Sequence, residues 1–236
     1  MELLLEYVPI FTIGITGTKG KSTTTSLMYK ILIDQKKDAF LLGNIGEPIF
    51  NDIESFTKDS IGVIELSSHA LEFVKKSTNI GIILDIFEEH LDHYKSLEKY
   101  IEAKYNLAKY QKNDGYLIYN FDNEFMKKYN FNYKPNDYAV SFTQKPNTKN
   151  CVFLENNFIY CNSKKFMDIN EKINLKGEHN INNIMFIFAV CDILNLDIDK
   201  IIKTVVDAGY GANIHEKIKD KGIKEEKTKK VEDNIK

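Results

Sequence analysis

The residues best placed to do chemistry are a lysine and a serine that follow two glycines near the start of the chain. Residues 11–24 read FTIGITGTKGKSTT, so an apolar run typical of a buried strand leads into Gly17, Gly20, Lys21 and Ser22. Glycines at such a turn leave backbone N–H groups free to face an anion, and a helix from Ser22 to about Asp34 would direct the positive end of its dipole there. Lys21 could reach the β- and γ-phosphates of a nucleotide, and the Ser22 hydroxyl could bind Mg²⁺. We therefore predict a phosphate loop at residues 16–23.

The spacing departs from the strict phosphate-loop signature, Gly-x-x-x-x-Gly-Lys-Ser/Thr. That signature would need glycine at position 15, where the chain has Ile15. The sequence therefore predicts a variant loop. The alternative is a glycine turn followed by a serine that only caps an ordinary helix.

Polar residues also follow two later strand-like runs. Residues 39–42 lead into a loop that contains Asn44, and residues 60–66 carry Glu65 near their end. Ligands of open α/β sheets bind beyond the carboxyl ends of the strands, so we expect Glu65 to face the same crevice as Lys21 and to bind a metal ion. The alternatives are that Glu65 is a solvated carboxylate and that Asn44 braces only its own turn.

Two histidines follow a fourth strand-like run, residues 80–87. His90 and His93 are three residues apart and could share a helical face, as a zinc pair would. No third soft ligand lies nearby in the sequence, so we favour one histidine, His90, close to magnesium, with His93 at the surface.

The remaining pattern predicts an α/β fold with a mostly parallel sheet flanked by helices. Strand-like runs begin with residues 7–15 and alternate with amphipathic helices, one of which, residues 96–111, places Lys104 among apolar residues. A lysine in that position ordinarily extends its ammonium to water. Four short runs between residues 138 and 169, with a turn at Asn156 and Asn157, predict a small antiparallel edge.

Two segments differ in composition. Residues 1–208 carry the core pattern and are predicted to form one domain, whereas residues 209–236 lose this pattern, and residues 216–236 are mostly charged, of both signs. A segment of that composition buries too little apolar area to offset the loss of chain entropy on ordering, so we predict a disordered tail or a frayed helix.

Composition excludes several classes of protein. The net charge of −2 gives no basic field for nucleic acid, and no apolar run is long enough to span a membrane. The start of the chain lacks the features of a signal peptide. The three cysteines, at positions 151, 161 and 191, lack the spacing of a zinc site or a disulfide framework, so we expect free thiols in a cytoplasmic protein.

Several of these stretches, in this order, resemble the central ATP-binding domain of the Mur ligases, the ATP-dependent amino-acid-adding enzymes of peptidoglycan synthesis. The motifs that carry the resemblance are TGTKGKST (residues 16–23), GNIGEP (43–48), ELSS (65–68), EAK (102–104) and GEHNINN (177–183). The second and third are most similar to the members that add D-glutamate.

The resemblance implies a role for each matched position. Lys21 would hold the phosphates of ATP, and Ser22 or Thr23 with Glu65 would bind one Mg²⁺ while His90 binds a second. Lys104 matches a lysine that reacts with CO₂ to form a carbamate, and Asn180 and Asn183 match positions on the adenine side. Asn44 and Ser67 would face the muramoyl substrate. The other loop positions implied in nucleotide binding are Gly17, Thr18, Lys19 and Gly20.

The chain also departs from the family pattern. Asp85 stands where the family usually has asparagine, and Ala70 stands where it usually has glutamine. The resemblance covers residues 7–206, one of the three domains of a complete ligase. It implies small-molecule substrates, a UDP-muramoyl peptide precursor and D-glutamate. As an enzyme, the chain would either work with separately encoded missing domains or retain partial ligase chemistry. The alternative is a nucleotide-binding module without turnover.

Overall fold

A nine-stranded sheet forms the centre of the part of the chain that the structure describes. This computed structural model describes residues 1–8, 10–45, 53–89, 91–128, 133–134, 136–170 and 178–207, so the predicted tail lies outside the described residues. The strands are β1 (Phe11–Thr16), β2 (Ala39–Gly43), β3 (Ile61–Glu65), β4 (Ile80–Ile83), β5 (Tyr116–Asn120), β6 (Tyr138–Ser141), β7 (Asn150–Glu155), β8 (Phe158–Cys161) and β9 (Lys164–Asp168). Their spatial order is β2-β3-β1-β4-β5-β6-β7-β8-β9.

Helices cover both faces of this sheet. They are α1 (Glu2–Tyr7), α2 (Lys21–Asp34), α3 (Ser68–Leu71), α4 (Leu91–Tyr94), α5 (Leu97–Lys109), α6 (Glu124–Lys128), α7 (Glu178–Ile193) and α8 (Ile198–Asp207). One apolar core contains the buried residues of α2, α7 and α8, and the other contains those of α1, α3, α5 and α6. Because successive strand residues point to opposite faces, Ile82 belongs to the first core and Ile83 to the second.

The predicted α/β class is confirmed, and the parallel part of the sheet is larger than predicted. β1 to β7 are parallel to one another, whereas β8 pairs antiparallel with β7, and β9 pairs antiparallel with β8. The sequence pattern misassigned β6 and β7 to the antiparallel edge, because the short segment that joins them contains no helix to signal a parallel crossover. The predicted turn is confirmed, since Asn156 and Asn157 have φ of 49° and 65° between paired strands.

The start of β1 also differs from the prediction. Tyr7 ends α1, and β1 begins at Phe11. The apolar run is divided between two elements, because α1 buries Leu4 in the second core while β1 buries Ile13 in the first.

The prediction of free thiols is confirmed. Cys151, Cys161 and Cys191 are free and buried. A search of the described residues for a helix that is long and apolar enough to cross a lipid bilayer finds none.

Candidate functional site

The ends of three neighbouring strands bring the predicted site residues to one edge of the sheet. β1 lies between β3 and β4, with Ile15 opposite Glu65 and Thr16 opposite Ile83. The phosphate loop, the carboxylate of Glu65 and the segment after β4 therefore leave the sheet side by side. The sequence predicts a shared crevice at this edge of the sheet.

Two glycines shape the phosphate loop. Gly17 has φ of +152°, and a Cβ there would lie 2.7 Å from Leu84 Cβ. Gly20 has φ of +85° and occupies the N-cap of α2, where no side chain accepts from the first N–H groups. The amino end of this fourteen-residue helix therefore presents N–H donors and positive potential to an anion.

Lys21 folds back over the loop that precedes it. Its Nζ donates hydrogen bonds to the carbonyl oxygens of Gly17, at 3.0 Å, and Thr18, at 2.8 Å. The ammonium is therefore held at the mouth of the loop by neutral acceptors. A bound phosphate would offer charged oxygens, which accept stronger hydrogen bonds than carbonyls do. Lys19 and Ser22 are exposed beside it, and Thr23 is half-buried.

Thr18 anchors the loop to the rest of the domain. Its N–H donates to Asp85 O at 2.8 Å, and its Oγ1 accepts from Phe87 N at 2.9 Å and lies 2.9 Å from the Tyr100 hydroxyl. These bonds fix the loop against the segment after β4 and against α5. The loop is therefore held in one shape before any ligand binds.

Glu65 lies at the end of β3 as a buried carboxylate. Only 2% of it is exposed, and Oε1 accepts from Asn44 Nδ2 at 3.3 Å. Oε2 has no hydrogen-bond partner among the residues that the structure describes. An unpaired buried carboxylate oxygen is costly without a cation, and carboxylate and hydroxyl oxygens are ligands that Mg²⁺ accepts. Glu65 and Ser22 therefore fit a magnesium site, and Asn44 orients Glu65.

Of the two histidines in the predicted site region, His90 and His93, the structure describes only His93. Its side chain is 47% exposed and its Nε2 lies 3.2 Å from Glu72 Oε2, so the surface position is confirmed. His90 lies outside the described residues. Within the described ranges, no group of three or more His, Cys, Asp and Glu side chains is arranged to hold a metal ion.

Lys104 is buried, contrary to the expectation for a lysine on an amphipathic helix. It is 1% exposed, its Nζ donates to Gly17 O at 2.9 Å, and it lies 4.6 Å from the ring centroid of Tyr100. Desolvation, with a smaller effect of the Lys21 charge, lowers the pKa of Lys104 to about 7, although Glu89 acts to raise it. Near neutral pH a large share of this amine is uncharged and nucleophilic.

The remaining predicted positions serve local structure. The Asn183 side chain packs against Gly20, where its Oδ1 would lie 2.5 Å from an added Cβ, and it is 8% exposed. Asn180 lies half-buried in the first turn of α7. Ser67 caps α3 by accepting from Ala70 N at 3.1 Å. Contacts of these three residues with a nucleotide or a muramoyl group stay predictions.

Sequence reasoning missed two residues of the site. The Tyr100 hydroxyl is hydrogen-bonded to Thr18 Oγ1, and the Tyr100 ring lies beneath the Lys104 ammonium. The backbone carbonyl of Asp85 accepts a hydrogen bond from Thr18 N. The carboxylate of Asp85 accepts hydrogen bonds from the side-chain amides of Asn120 and Asn123. Burial raises the pKa of the Asp85 carboxyl despite these amide donors. The signal available in the sequence was that Tyr100 lies four residues before Lys104 on α5, because residues four apart are neighbours on one face of a helix.

A parallel sheet whose strand β1 ends in a glycine-shaped loop, with a lysine and a buried carboxylate beside it, defines an α/β domain with a candidate anion site at the carboxyl ends of its strands. The chain matches the Mur ligase middle domain over residues 15–191, and it belongs to this family.

Several curated relatives are named UDP-N-acetylmuramoylalanine–D-glutamate ligase. UDP-N-acetylmuramoylalanine–D-glutamate ligase of Clostridium tetani is 36% identical over 189 residues, which are 80% of this chain and 41% of the relative. The enzyme of the same name from Clostridioides difficile is 37% identical over 207 residues, with 84% of this chain and 44% of the relative covered. The chain thus spans less than half the length of these relatives.

Solved structures show the same fold. A UDP-N-acetylmuramoyl-L-alanyl-D-glutamate–2,6-diaminopimelate ligase aligns with a TM-score of 0.66 and 20% identity, over 87% of this chain and 48% of that one. A MurF ligase from Thermotoga maritima in complex with ADP aligns with a TM-score of 0.59 and 18% identity, over 83% of this chain and 48% of that one.

Proposed function

We propose that this chain binds Mg·ATP and is the ATP-binding domain of a ligase that adds D-glutamate to UDP-N-acetylmuramoyl-L-alanine in the cytoplasm. The observation that carries the proposal is the meeting of the Lys21 ammonium, the N-terminus of α2 and the unpaired Glu65 carboxylate at one edge of the sheet. The similarity to relatives of that name supports the choice of amino acid.

The proposed reaction proceeds through an acyl phosphate. A carboxylate oxygen of the acceptor attacks the γ-phosphorus of ATP and the bond to the β-phosphate oxygen breaks, which releases ADP. The amine of D-glutamate then attacks the acyl carbon, loses a proton and displaces phosphate. Both steps crowd negative charge, which Lys21 and the amino end of α2 are placed to stabilise.

Magnesium would be held by Ser22 or Thr23 with Glu65, and a second ion by His90. When bound, Mg²⁺ supplies charge neutralisation and orients phosphate oxygens. Phosphate contacts from the backbone or side chains of Gly17, Thr18, Lys19 and Gly20, and adenine-side contacts from Asn180 and Asn183, belong to the same proposal. Asn44 and Ser67 would lie on the muramoyl side.

Lys104 is proposed to carry the carbamate that the family resemblance implies. The uncharged amine adds to CO₂ and the adduct loses one proton, so a buried neutral amine becomes an anion. Burial favours the free amine that reacts, because desolvation lowers the pKa of Lys104.

A second candidate function is a nucleotide-binding module without ligase turnover. It is favoured by one observation, that the chain spans less than half the length of its curated relatives. Positioning of reactants contributes on the order of 7–11 kcal/mol to such catalysis at best. More than half of the relatives' length lies outside the match, and residues there would help to hold the acceptor and the amine.

We predict little or no ligase turnover by these 236 residues alone. The assay measures phosphate release from Mg·ATP with UDP-N-acetylmuramoyl-L-alanine and D-glutamate, with each substrate omitted in turn. Release that requires both substrates would contradict the positioning argument and would favour the complete reaction within this chain. Absence of that release together with Mg·ATP binding would support the domain assignment.

A further inference from the structure

Thr16 places a buried hydroxyl at the end of β1, directly before Gly17 of the phosphate loop. The residue is fully buried, and its Oγ1 has no hydrogen-bond partner among the residues that the structure describes. Burying a hydroxyl without a partner costs free energy, because the hydrogen bonds that it makes to water are not replaced. A further polar group at this strand end would satisfy it.

The Thr16 side chain lies on the face of the sheet that α5 covers. Thr16 is opposite Ile83 in the parallel register of β1 and β4, and side chains paired in this way project to the same face. Ile83 belongs to the second core, together with the buried residues of α5. Lys104 of α5 donates to Gly17 O at 2.9 Å. The Lys104 amine and the Thr16 hydroxyl therefore lie on one face, at the end of the same strand.

The contacts of the Lys104 amine suit a cation. One is the Gly17 carbonyl oxygen, and another is the ring of Tyr100, whose centroid lies 4.6 Å from Nζ. A carbonyl oxygen and the face of an aromatic ring both carry partial negative charge, and neither donates a hydrogen bond. Lys104 is only 1% exposed, so an anion formed on it needs a donor from the protein rather than from bulk water.

Lys21 and Thr16 are the donors next to the Gly17 carbonyl. Lys21 Nζ donates to Gly17 O at 3.0 Å, so the Lys21 and Lys104 amines share one acceptor. In the proposed nucleotide complex Lys21 turns to the β- and γ-phosphates. The hydroxyl of Thr16 then remains as a buried donor for an anion on Lys104.

We propose that Thr16 is a positioning residue for the carbamate of Lys104, donating its hydroxyl hydrogen to a carbamate oxygen at the base of the phosphate loop. The inference rests on the proposed carbamate. In that reaction the amine nitrogen forms a bond to the carbon of CO₂, one C=O bond of CO₂ becomes a C–O⁻ bond, and a proton of the nitrogen passes to the buffer. Thr16 keeps its own proton and contributes only the hydrogen bond.

The test follows the carbamate carbon by NMR in ¹³C-labelled bicarbonate, with Mg²⁺ and a slowly hydrolysed ATP analogue present. The wild type should give a carbamate resonance that Lys104→Met lacks. Thr16→Val replaces the hydroxyl by a methyl group and should lower the equilibrium constant for carbamate formation about tenfold, since a hydrogen bond to a charged group is lost. Thr16→Ser keeps the hydroxyl and should stay within about threefold of the wild type.

Urea unfolding without nucleotide separates this role from a structural one. In CO₂-free buffer Thr16→Val should be at least as stable as the wild type, because it removes a buried hydroxyl that has no partner. Dissolved CO₂ should raise the urea midpoint of the wild type more than that of Thr16→Val, since a ligand bound by the folded state stabilises that state. Thr16→Ala makes the same comparison should Thr16→Val fail to fold.

Two variants serve as matched controls. Ser26 Oγ is also buried without a partner among the described residues, but Ser26 lies on α2, which packs on the opposite face of the sheet from α5. Tyr94 has a buried hydroxyl in the second core, and its ring lies 5.5 Å from that of Tyr100. Ser26→Ala and Tyr94→Phe should both keep the wild-type carbamate resonance.

A resonance of wild-type intensity in folded Thr16→Val would overturn the role of Thr16 and leave the carbamate of Lys104 standing. An equal loss in Thr16→Val and in either control would overturn it as well. If the wild type gave no resonance that depends on Lys104, the carbamate itself would be removed from the proposed function, and the role of Thr16 with it.

Discussion

Replacing Lys21 with alanine is expected to weaken the binding of Mg·ATP about a hundredfold or more. The Lys21 ammonium lies 3.0 Å from Gly17 O and 2.8 Å from Thr18 O, at the mouth of the loop. Hydrogen bonds to charged groups contribute roughly 1.5–3 kcal/mol each, and the lysine can reach two phosphates. Isothermal titration calorimetry with a slowly hydrolysed ATP analogue and Mg²⁺ measures the loss.

Lys30→Ala is the matched control for this variant. Lys30 lies on the same helix, α2, and pairs with Asp34 at 2.6 Å near its far end. Exposed pairs of this kind contribute little to stability, so the control should fold and bind nucleotide as the wild type does. Unchanged affinity in Lys21→Ala would refute the assigned phosphate loop.

Lys104 is expected to make the domain more stable as the pH rises from about 7 to 9. Its pKa is lowered from 10.5 to about 7 in the folded chain, chiefly by burial. In that interval the unfolded chain carries a proton on this lysine and the folded chain largely does not. Unfolding therefore takes up a proton, and raising the pH opposes unfolding.

The effect is isolated by comparison with Lys104→Met, which keeps an apolar chain of similar length. The free energy of unfolding of the wild type minus that of Lys104→Met should rise by about 1.4 kcal/mol per pH unit at most, or ~2 kcal/mol between pH 7.5 and 9. Urea titrations in CO₂-free buffers measure it, because carbamate formation would add its own pH dependence.

The matched control is Lys109→Met, because Lys109 lies on the same helix, α5, but is exposed to solvent. The difference between the wild type and this control should not change with pH over the same interval. If the wild type and Lys104→Met also kept a constant difference, Lys104 would be fully protonated at these pH values. That result would remove the free amine on which the proposed carbamate depends.

The sequence was sufficient to place Lys21 and Glu65 at the same edge of the sheet. Lys21 and Glu65 lie just beyond or at the ends of β1 and β3, which are paired in parallel. Parallel neighbours place their carboxyl ends at one edge, so the pattern of the chain alone brings these residues together.

Features that depend on distant contacts were not predictable. Lys104 is buried because its acceptor, Gly17 O, lies 87 residues earlier in the chain, and helix periodicity carries no information about that distance. Tyr100 looks like an ordinary core aromatic until its hydroxyl is seen beside Thr18. β6 and β7 were misassigned because the short segment that joins them carries no signal of their parallel pairing, which is seen only in the complete sheet.

The most direct test of the account is a crystal structure of the chain with Mg²⁺ and a non-hydrolysable ATP analogue. We expect Lys21 Nζ to leave Gly17 O and Thr18 O for the β- and γ-phosphates, with Mg²⁺ bound to the Ser22 hydroxyl and the Glu65 carboxylate. A nucleotide bound elsewhere, with Lys21 still donating to the two carbonyls, would contradict it.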